Sequence, residues 1–479
     1  MANTLLTQRP LYDITLVGQN LYFSVTNDQD VATQTKVKFC AEVYISNDLD
    51  PNITNPSSPD FVGIFKTTPN NFGVGMWDMR NITETFISSD NLGAEGSEFK
   101  SFVASKLISP PIQNINKFSL SENMVCKLRI RFYTEFLGAD PSFPNVVRPS
   151  GNNVESGMYV LINGYVKHTD IIRQGAGGSQ FNYAYDLFRR IIFGGILQKN
   201  KPKFLTNAPN VLECNMDDYG TLSMVVKDDK SLTFIRLVYR DSNGNILNSD
   251  NVYVSTANGA FDYYTGRCKQ RVLHFGCYPA NLRNYSGKFI PIFAQMYGGT
   301  ISVQGYTVTP VMSGTITEEY IIKINCPTLK GYEPIRLKWL NQYGAWDYFT
   351  FNKKSTRQIS TEGSTYTQLD GTWNNQQNRI YGHRGGTKSF RVNATEKIKM
   401  NTDYLPEEYN TTFEELVNSP EVYMIKGFQG DIRYETWNKY TIPVRLTSSE
   451  FTKKTKANDN LIQYEFEVEK SEPLRTQAV

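Results

Sequence analysis

Polar and apolar residues alternate along Lys36–Ile45, KVKFCAEVYI, so that Val37, Phe39, Ala41, Val43 and Ile45 share one side of an extended chain. That period of two predicts a half-buried strand. KLRIRFYTEF repeats it, with Leu128, Ile130 and Phe132 opposite Lys127, Arg129 and Arg131. Between them, FVGIFKTTPNNFGVGMWDMRNITETFIS reads as a strand, a Pro-Asn-Asn turn, a second strand and a short helical stretch. SLTFIRLVYRDSNGNILNSDNVYVS predicts a hairpin in which Asn243-Gly244 supplies the positive φ angles of a two-residue turn. Strands are expected to continue through GKFIPIFAQMY, GTISVQGYTVTPVMS and EEYIIKINC. Near the end of the chain, Ile462, Tyr464, Phe466 and Val468 alternate with Gln463, Glu465, Glu467 and Glu469, predicting a strand with an acidic outer face.

One segment changes period. In LPEEYNTTFEELVNSP, Leu405, Tyr409, Phe413, Leu416 and Val417 recur at helical spacing, with Glu407 and Glu408 in the expected first turn and Pro420 as the stop. The spacing predicts an amphipathic helix over about 405–418. QFNYAYDLFRRIIFGGILQKN admits one further helical segment, weakened by Gly194-Gly195.

RLKWLNQYGAWDYFTF concentrates aromatic rings around a short polar break. Ile335, Leu337 and Trp339 alternate with Arg336 and Lys338 on the entering strand, and Asn341–Ala345, with Gly344, makes the turn. On the exiting strand Trp346 and Tyr348 face one way, Phe349 and Phe351 the other. A strand apolar on both faces needs cover on both, from its own domain or from a neighbouring subunit. Trp339, Tyr343, Trp346, Tyr348, Phe349 and Phe351 are therefore read as a structural hairpin first and an interface second.

The expected fold class is mainly β, built of antiparallel β-sandwich modules with one or two short helices. Length supports this, since 479 residues exceed one ordinary domain and suggest about three. The division expected is 1–145, a β-sandwich-like domain; 146–210, a linker and partly helical connection; 211–330, a second sandwich; and 331–479, a β-rich domain carrying the helix. The first boundary is placed near GADPSFPNVVRPSGNNVESG, rich in Pro, Gly, Asn and Ser and without period, which reads as either a linker or a long surface loop. Tyr 29 and Phe 28, with frequent Asn and Thr, favour pleated surfaces.

Lys+Arg 50 against Asp+Glu 47 leaves no surplus large enough for a polyanion partner, so no specific nucleic acid is expected. No run reaches the ~20 apolar residues of a membrane span, IIFGGIL being the nearest. The opening MANTLLTQRPLYDITLV lacks a basic region followed by an apolar core, and a soluble chain made in the cytoplasm is expected. Six cysteines lie far apart except for Cys268 and Cys277 and form no CxxC pair, which predicts buried free thiols and no structural zinc.

Candidate chemistry is thin. His168, His274 and His383 lie in different parts of the chain, and HExxH, GxSxG and the Walker patterns are absent. GAGGS, Gly175–Ser179, lacks the Gly-Lys-Ser/Thr ending of a phosphate loop. YGHRGGTKSF around His383 reads either as an anion nest with Arg384 and Lys388 or, preferentially, as a hairpin tip. No catalytic residue, metal or cofactor is expected.

The order VKFCAEVYIS, TTPNNFGVGMWDM, FLTNAP, the ring-rich hairpin, LPEEYNTTFEELVNSPEVYMI and YTIPVRLTSSEFTKKTKANDNLIQYEFEVE resembles virion structural proteins of tailed bacteriophages, particularly of Bacteroidetes hosts and marine phages. The resemblance spans nearly the whole chain, with Phe413 where tryptophan is more usual. It implies a non-enzymatic tail, tail-hub or distal-tail-like component, located in the virion tail. The partners implied are other copies of itself, in a symmetric ring of about six or twelve, and neighbouring tail or connector proteins. Two other classes stay open: a receptor- or glycan-binding tail module gripping sugars through Tyr and Trp, and a glycan depolymerase acting through two carboxylates.

Overall fold

The computed structural model describes residues 4–47, 51, 53, 58–89, 118–121, 123–137, 147–149, 153–167, 191–192, 201–226, 232–255, 271–283, 294–308, 313–326, 331–374, 376–426, 441–447, 451–453 and 462–475. The chain is mainly β, with short helices. Its contacts group it into two compact units: residues 1–212, 219–324 and 340–347, and residues 213–218, 325–339 and 348–479. Among the described residues no helix is long and apolar enough to cross a membrane.

The first unit opens with β1 (Leu5–Gln8), β2 (Ile14–Leu16), β3 (Tyr22–Thr26), α1 (Asp28–Thr33), β4 (Thr35–Ser46), β5 (Phe61–Thr67), β6 (Val74–Asp78) and α2 (Arg80–Thr83). β7 (Phe118–Ser121), β8 (Val125–Leu137), β9 (Val147–Pro149), β10 (Val154–Glu155) and β11 (Tyr159–Ile162) follow. β1, β3 and β6 form one sheet; β2, β11, β8, β4 and β5 form a second, which β9 and β10 extend along β8. The stretch read as a linker thus contributes two short strands to this sheet.

The two sheets close on a core predicted by the alternation. Val37 is buried, while Phe39, Ala41, Val43 and Ile45 of β4 and Leu128, Ile130 and Phe132 of β8 meet Phe23 and Val25 of β3. Phe23 lies 5.7 Å from Phe132 and edge-on to Tyr159 at 5.4 Å. Gly75 on β6 is needed for this approach, since a Cβ there would come within 2.7 Å of the Phe39 ring. β5 and β6, although joined by a tight turn, pair in different sheets, so the turn carries the chain from one layer to the other. The second sheet is covered on its other face too: Val160 and Ile162 of β11, with Ile14 and Val125, join a separate core that includes Val225 and Val272.

Those last residues belong to a sheet ordered β12 (Ile191–Ile192), β14 (Thr221–Val226), β17 (Arg271–Gly276) and β7. Another contains β13 (Val211–Cys214), β15 (Phe234–Arg240), β16 (Ile246–Tyr253), β18 (Thr300–Val308), β19 (Ser313–Thr315) and β20 (Tyr320–Ile324), with α3 at Pro279–Arg283. Phe204 touches both, with ring centroids 5.7 Å from Phe275 and 6.0 Å from Tyr320. Two expected segments fall only partly within the described residues. In GKFIPIFAQMY, Ala294–Met296 is a 3₁₀ turn leading into Gly298-Gly299, where Gly298 has φ 74°, so the expected strand does not reach these residues; 287–293 lie outside the described residues. Ile191–Ile192 is a short strand parallel to β14; the rest of 180–200, which admits a helical segment, and the GAGGS stretch lie outside the described residues.

The turn between β15 and β16 also differs from its expected form. Only Gly244 has positive φ, 84°. The Asp241 carboxylate accepts the N–H groups of Asn243 and Asn245, and Asp241 N donates to Asn245 O at 3.0 Å. This three-residue loop with a bulge at Gly244 needs one left-handed residue where the two-residue turn needs two. Asn70 with Gly73 and Asn341 with Gly344 repeat the device: the side-chain oxygen of each Asn accepts the N–H groups two and four residues on. NNFGV, DSNGN and NQYGA are thus one turn used three times.

The second unit holds most of an eight-stranded sheet ordered β22 (Trp346–Phe351), β21 (Ile335–Leu340), β25 (Val422–Ile425), β26 (Thr441–Leu446), β27 (Glu465–Lys470), β24 (Thr387–Asn401) and β23 (Thr356–Thr367), with β28 (Leu474–Arg475) beside β24. Its helix, α4, runs Tyr409–Asn418, so Glu407 and Glu408 precede the first turn and do not occupy it. Leu405 is instead bridged to Ile462. Phe413 of α4 sits among rings, 5.1 Å from Phe349, 5.0 Å from Tyr464 and 5.2 Å from Phe466. Ile462, Tyr464, Phe466 and Val468 are buried as the alternation predicted. The acidic face opposite is matched by the neighbouring strands: Glu465 meets Lys399 at 2.7 Å, and Glu469 meets Arg445 at 3.1 Å and Lys397 at 4.0 Å.

Candidate functional site

The ring-rich hairpin is an inward-facing element. Trp339, Tyr343, Trp346, Tyr348, Phe349 and Phe351 are all buried within the protein itself. In the first unit, Tyr343 and Ala345 join the core around Ile14 and Val160, while Tyr165 N donates to Gln342 O at 2.8 Å. A Cβ on Gly344, whose φ is 71°, would meet Asn163 at 2.7 Å. In the second unit, Phe349 and Phe351 pack edge-on at 5.0 Å and both meet Phe413. Same-strand and helix-to-strand ring pairs of this kind contribute about 0.5–1.5 kcal/mol each beyond burial.

The entering strand departs from its expected polarity, because Arg336 and Lys338 are buried like their apolar neighbours. Arg336 donates to Thr350 Oγ1 at 2.7 Å, lies 3.4 Å from Asp218 Oδ2 and stacks over Tyr348 at 5.2 Å. Thr350 donates to the same Asp218 oxygen at 2.6 Å. Lys338 lies over the Tyr423 ring at 5.2 Å. Asp218 precedes Arg336 by 118 positions, and no local pattern announces the pair.

Two features with a chemical look are structural. Ser223 Oγ and His274 Nδ1 lie 2.6 Å apart, directly opposed on β14 and β17, but both side chains are buried and offer a substrate no approach. Cys40, Cys126, Cys214 and Cys277 are buried, and burial pushes the Cys40 and Cys126 thiols up to about 12. Cys326 is free but exposed, contrary to the expectation of burial, since it stands just beyond the last strand of its sheet. Among the described residues no three His, Cys, Asp or Glu side chains cluster as metal ligands.

What faces outward is the ribbon of β23 and β24. Twelve paired positions run from Thr356↔Lys399 to Thr367↔Thr387. β27 supports β24 over Lys397–Asn401 and β28 supports it at Asn393 and Ala394; before Asn393, toward the tip, β24 pairs with β23 alone. Such a ribbon has no core face, and a two-stranded element is marginal in water by itself, so its anchorage is the pairing of β24 with β27 and β28 at the base. Both strands are correspondingly exposed through this part.

The ribbon ends in a loop held by backbone hydrogen bonds. Gln368 N donates to Gly386 O at 2.9 Å, Tyr381 N to Asp370 O at 3.3 Å and Arg384 N to Tyr381 O at 2.9 Å. Gly385 and Gly386 have φ of 89° and 75°, which only glycine adopts freely. The YGHRGGTKSF segment thus lies at a hairpin tip, with His383 beside Tyr381 and exposed to solvent. Leu369, Trp373, Ile380 and Phe390 stand out from this scaffold, Trp373 being 85% exposed and Ile380 78%.

At its root the ribbon is fixed by charge. Arg357 bridges Glu333 at 2.5 Å and Glu396 at 2.8 Å, and Lys470 reaches Glu396 at 2.5 Å. Burial alone would raise the Glu396 carboxyl, but the hydrogen bonds from Lys470 and Arg357 outweigh it and hold it below its ordinary value. Hydrogen bonds to Glu333 and Glu396 in turn raise the Arg357 guanidinium. Sequence reading located the tip but missed both strands, because a ribbon exposed on both faces shows no alternation.

Comparison with protein-family models and with curated proteins finds no match for this chain.

Proposed function

We propose that this protein is a non-enzymatic structural component of a tailed-phage virion, assembling with itself into a tail ring or hub and contacting neighbouring tail proteins. The observation that carries the reading is the ribbon: an ordered two-stranded element displaying Leu369, Trp373, Ile380 and Phe390 to solvent. Exposed rings and aliphatic side chains on a rigid scaffold mark a surface that another protein covers. The phage assignment rests on the motif resemblance through NNFGVGMWDM, the ring-rich hairpin and FEELVNSPEVYMI.

Sedimentation of the purified protein over a range of concentrations, with electron microscopy of virions carrying a tag on it, tests the reading. Association into closed rings and tag density in the tail are expected. A protein that stays monomeric at high concentration and leaves no density in the tail overturns it. A second reading, a glycan-binding tail module, is favoured only by Trp373 and Tyr381, two exposed rings of one loop on which a sugar could stack; binding on a glycan array that is lost in Trp373→Ala would establish it.

A further inference from the structure

We propose that the end of the β23–β24 ribbon docks on the acidic surface at the start of α4 in a second copy of this protein, an inference that rests on the self-assembly reading and names its contact. Charge is the first observation. Between Gln368 and Val392 the sequence holds Arg379, Arg384, Lys388 and Arg391 against a single acid, Asp370. None of these four forms an ion pair among the described residues, and Arg384 instead lies over the Tyr381 ring at 5.3 Å. Cations nearer the ribbon's root behave differently: Arg357, Lys397, Lys399 and Lys470 each meet a glutamate. The ribbon's end thus carries, beside the exposed Leu369, Trp373, Ile380 and Phe390, four cations without an ion pair among the described residues.

The complementary surface lies elsewhere in the same unit. Glu407 and Glu408 precede α4, pair with no cation among the described residues, and follow Tyr404, whose ring is exposed. An exposed ring among carboxylates matches exposed rings among guanidinium groups, and charge complementarity of this kind sets orientation while the rings supply the buried area. Tip and patch are different surfaces of one molecule, so their contact is heterologous, the kind that builds the proposed ring when its rotation closes. A nucleic-acid partner explains the cations and Trp373 but gives Leu369, Ile380 and Phe390 nothing to do.

Two charge-reversed variants test the idea. The tip variant carries R379E and R384E; the patch variant carries E407K and E408K. Alone, the tip variant presents acid to acid and the patch variant presents base to base, and each is expected to associate about tenfold or more weakly than the unaltered protein. Mixed in equal amounts, each reversed tip meets an unaltered patch only in its own kind, whereas reversed tip and reversed patch attract, so association between the two variants is expected to return. Arg379, Arg384 and Glu408 are exposed and Glu407 is half-buried, so unchanged melting shows that both variants fold. If each variant assembles like the unaltered protein, the tip or patch is not in the contact and the inference falls while the assembly reading stands. If both are impaired and the mixture is not rescued, the acidic surface is not the partner. If the unaltered protein itself never associates, the assembly reading falls first. Binding to random-sequence DNA that the tip variant loses and the patch variant keeps, with assembly unaffected in both, overturns the inference in favour of nucleic acid.

Discussion

Arg336 holds its Nη1 3.4 Å from Asp218 Oδ2 with both side chains almost sealed from water, 3% and 7% exposed. Thr350 completes the arrangement by donating to the same carboxylate oxygen, and Asn215 N donates to it at 2.7 Å. A buried ion pair contributes little net stability over an apolar replacement of both partners, yet removing one partner strands the other. Arg336→Leu is therefore expected to lower the stability of the second unit by about 3–5 kcal/mol, read as a shift of the urea midpoint. A loss under about 1 kcal/mol would mean that Asp218 finds water or another cation in place of Arg336.

The repeated turn separates backbone strain from crowding. Gly244 and Gly344 share positive φ, 84° and 71°, but a Cβ meets nothing within 4 Å at the first and Asn163 at 2.7 Å at the second. Gly244→Ala is expected to cost about 1–2 kcal/mol, the left-handed penalty alone. Gly344→Ala is expected to cost roughly twice that or more, because overlap with Asn163 adds to it. Equal costs in thermal melts would contradict the packing described at the hairpin tip.

Acid is expected to loosen the root of the ribbon. Glu396 has its folded value held below the ordinary 4.5 by Lys470 and Arg357, so the unfolded protein binds more protons below that value. Its contribution is fully present above pH 4.5 and is lost as pH falls through the folded value. Thermal melts should show a decline starting near 4.5, and Glu396→Gln should remove part of that slope. An identical slope in the variant would place the acid-sensitive group elsewhere.

Thiol chemistry should follow burial. Cys326 is expected to alkylate in the native protein at about pH 8, while Cys40 and Cys126, their thiols pushed up to about 12, react only after unfolding. Peptide mapping after a short pulse of iodoacetamide reads this, and native labelling of Cys40 would contradict the sealed core around it.

Much of the fold was legible where one face meets a core. Phe39, Val43, Leu128 and Phe132 were placed by a period of two, and Phe413 and Leu416 by helical spacing, because local pattern and tertiary burial agree there. The buried charges were not legible: Arg336 reads as a solvated position on its strand, and only Asp218, distant in sequence, reverses that. The candidate site was half legible. Glycines marked the tip near His383, but Thr356–Thr367 carries polar residues on both faces and gave no periodic signal for a strand. The Asn/Asp-x-x-Gly turns were visible in principle, since NNFGV, DSNGN and NQYGA share a spacing whose side-chain hydrogen bonds follow from geometry.

The most direct test of the assembly account is oxidative footprinting of Trp373 in dilute and in concentrated, associated protein. Trp373 and Ile380 are expected to label readily when dilute and to be protected several-fold on association, while Phe72, 87% exposed at the tip of the β5–β6 turn, stays reactive in both. Equal labelling of Trp373 in the free and associated states would show that the ribbon's end remains in water, and would contradict the account.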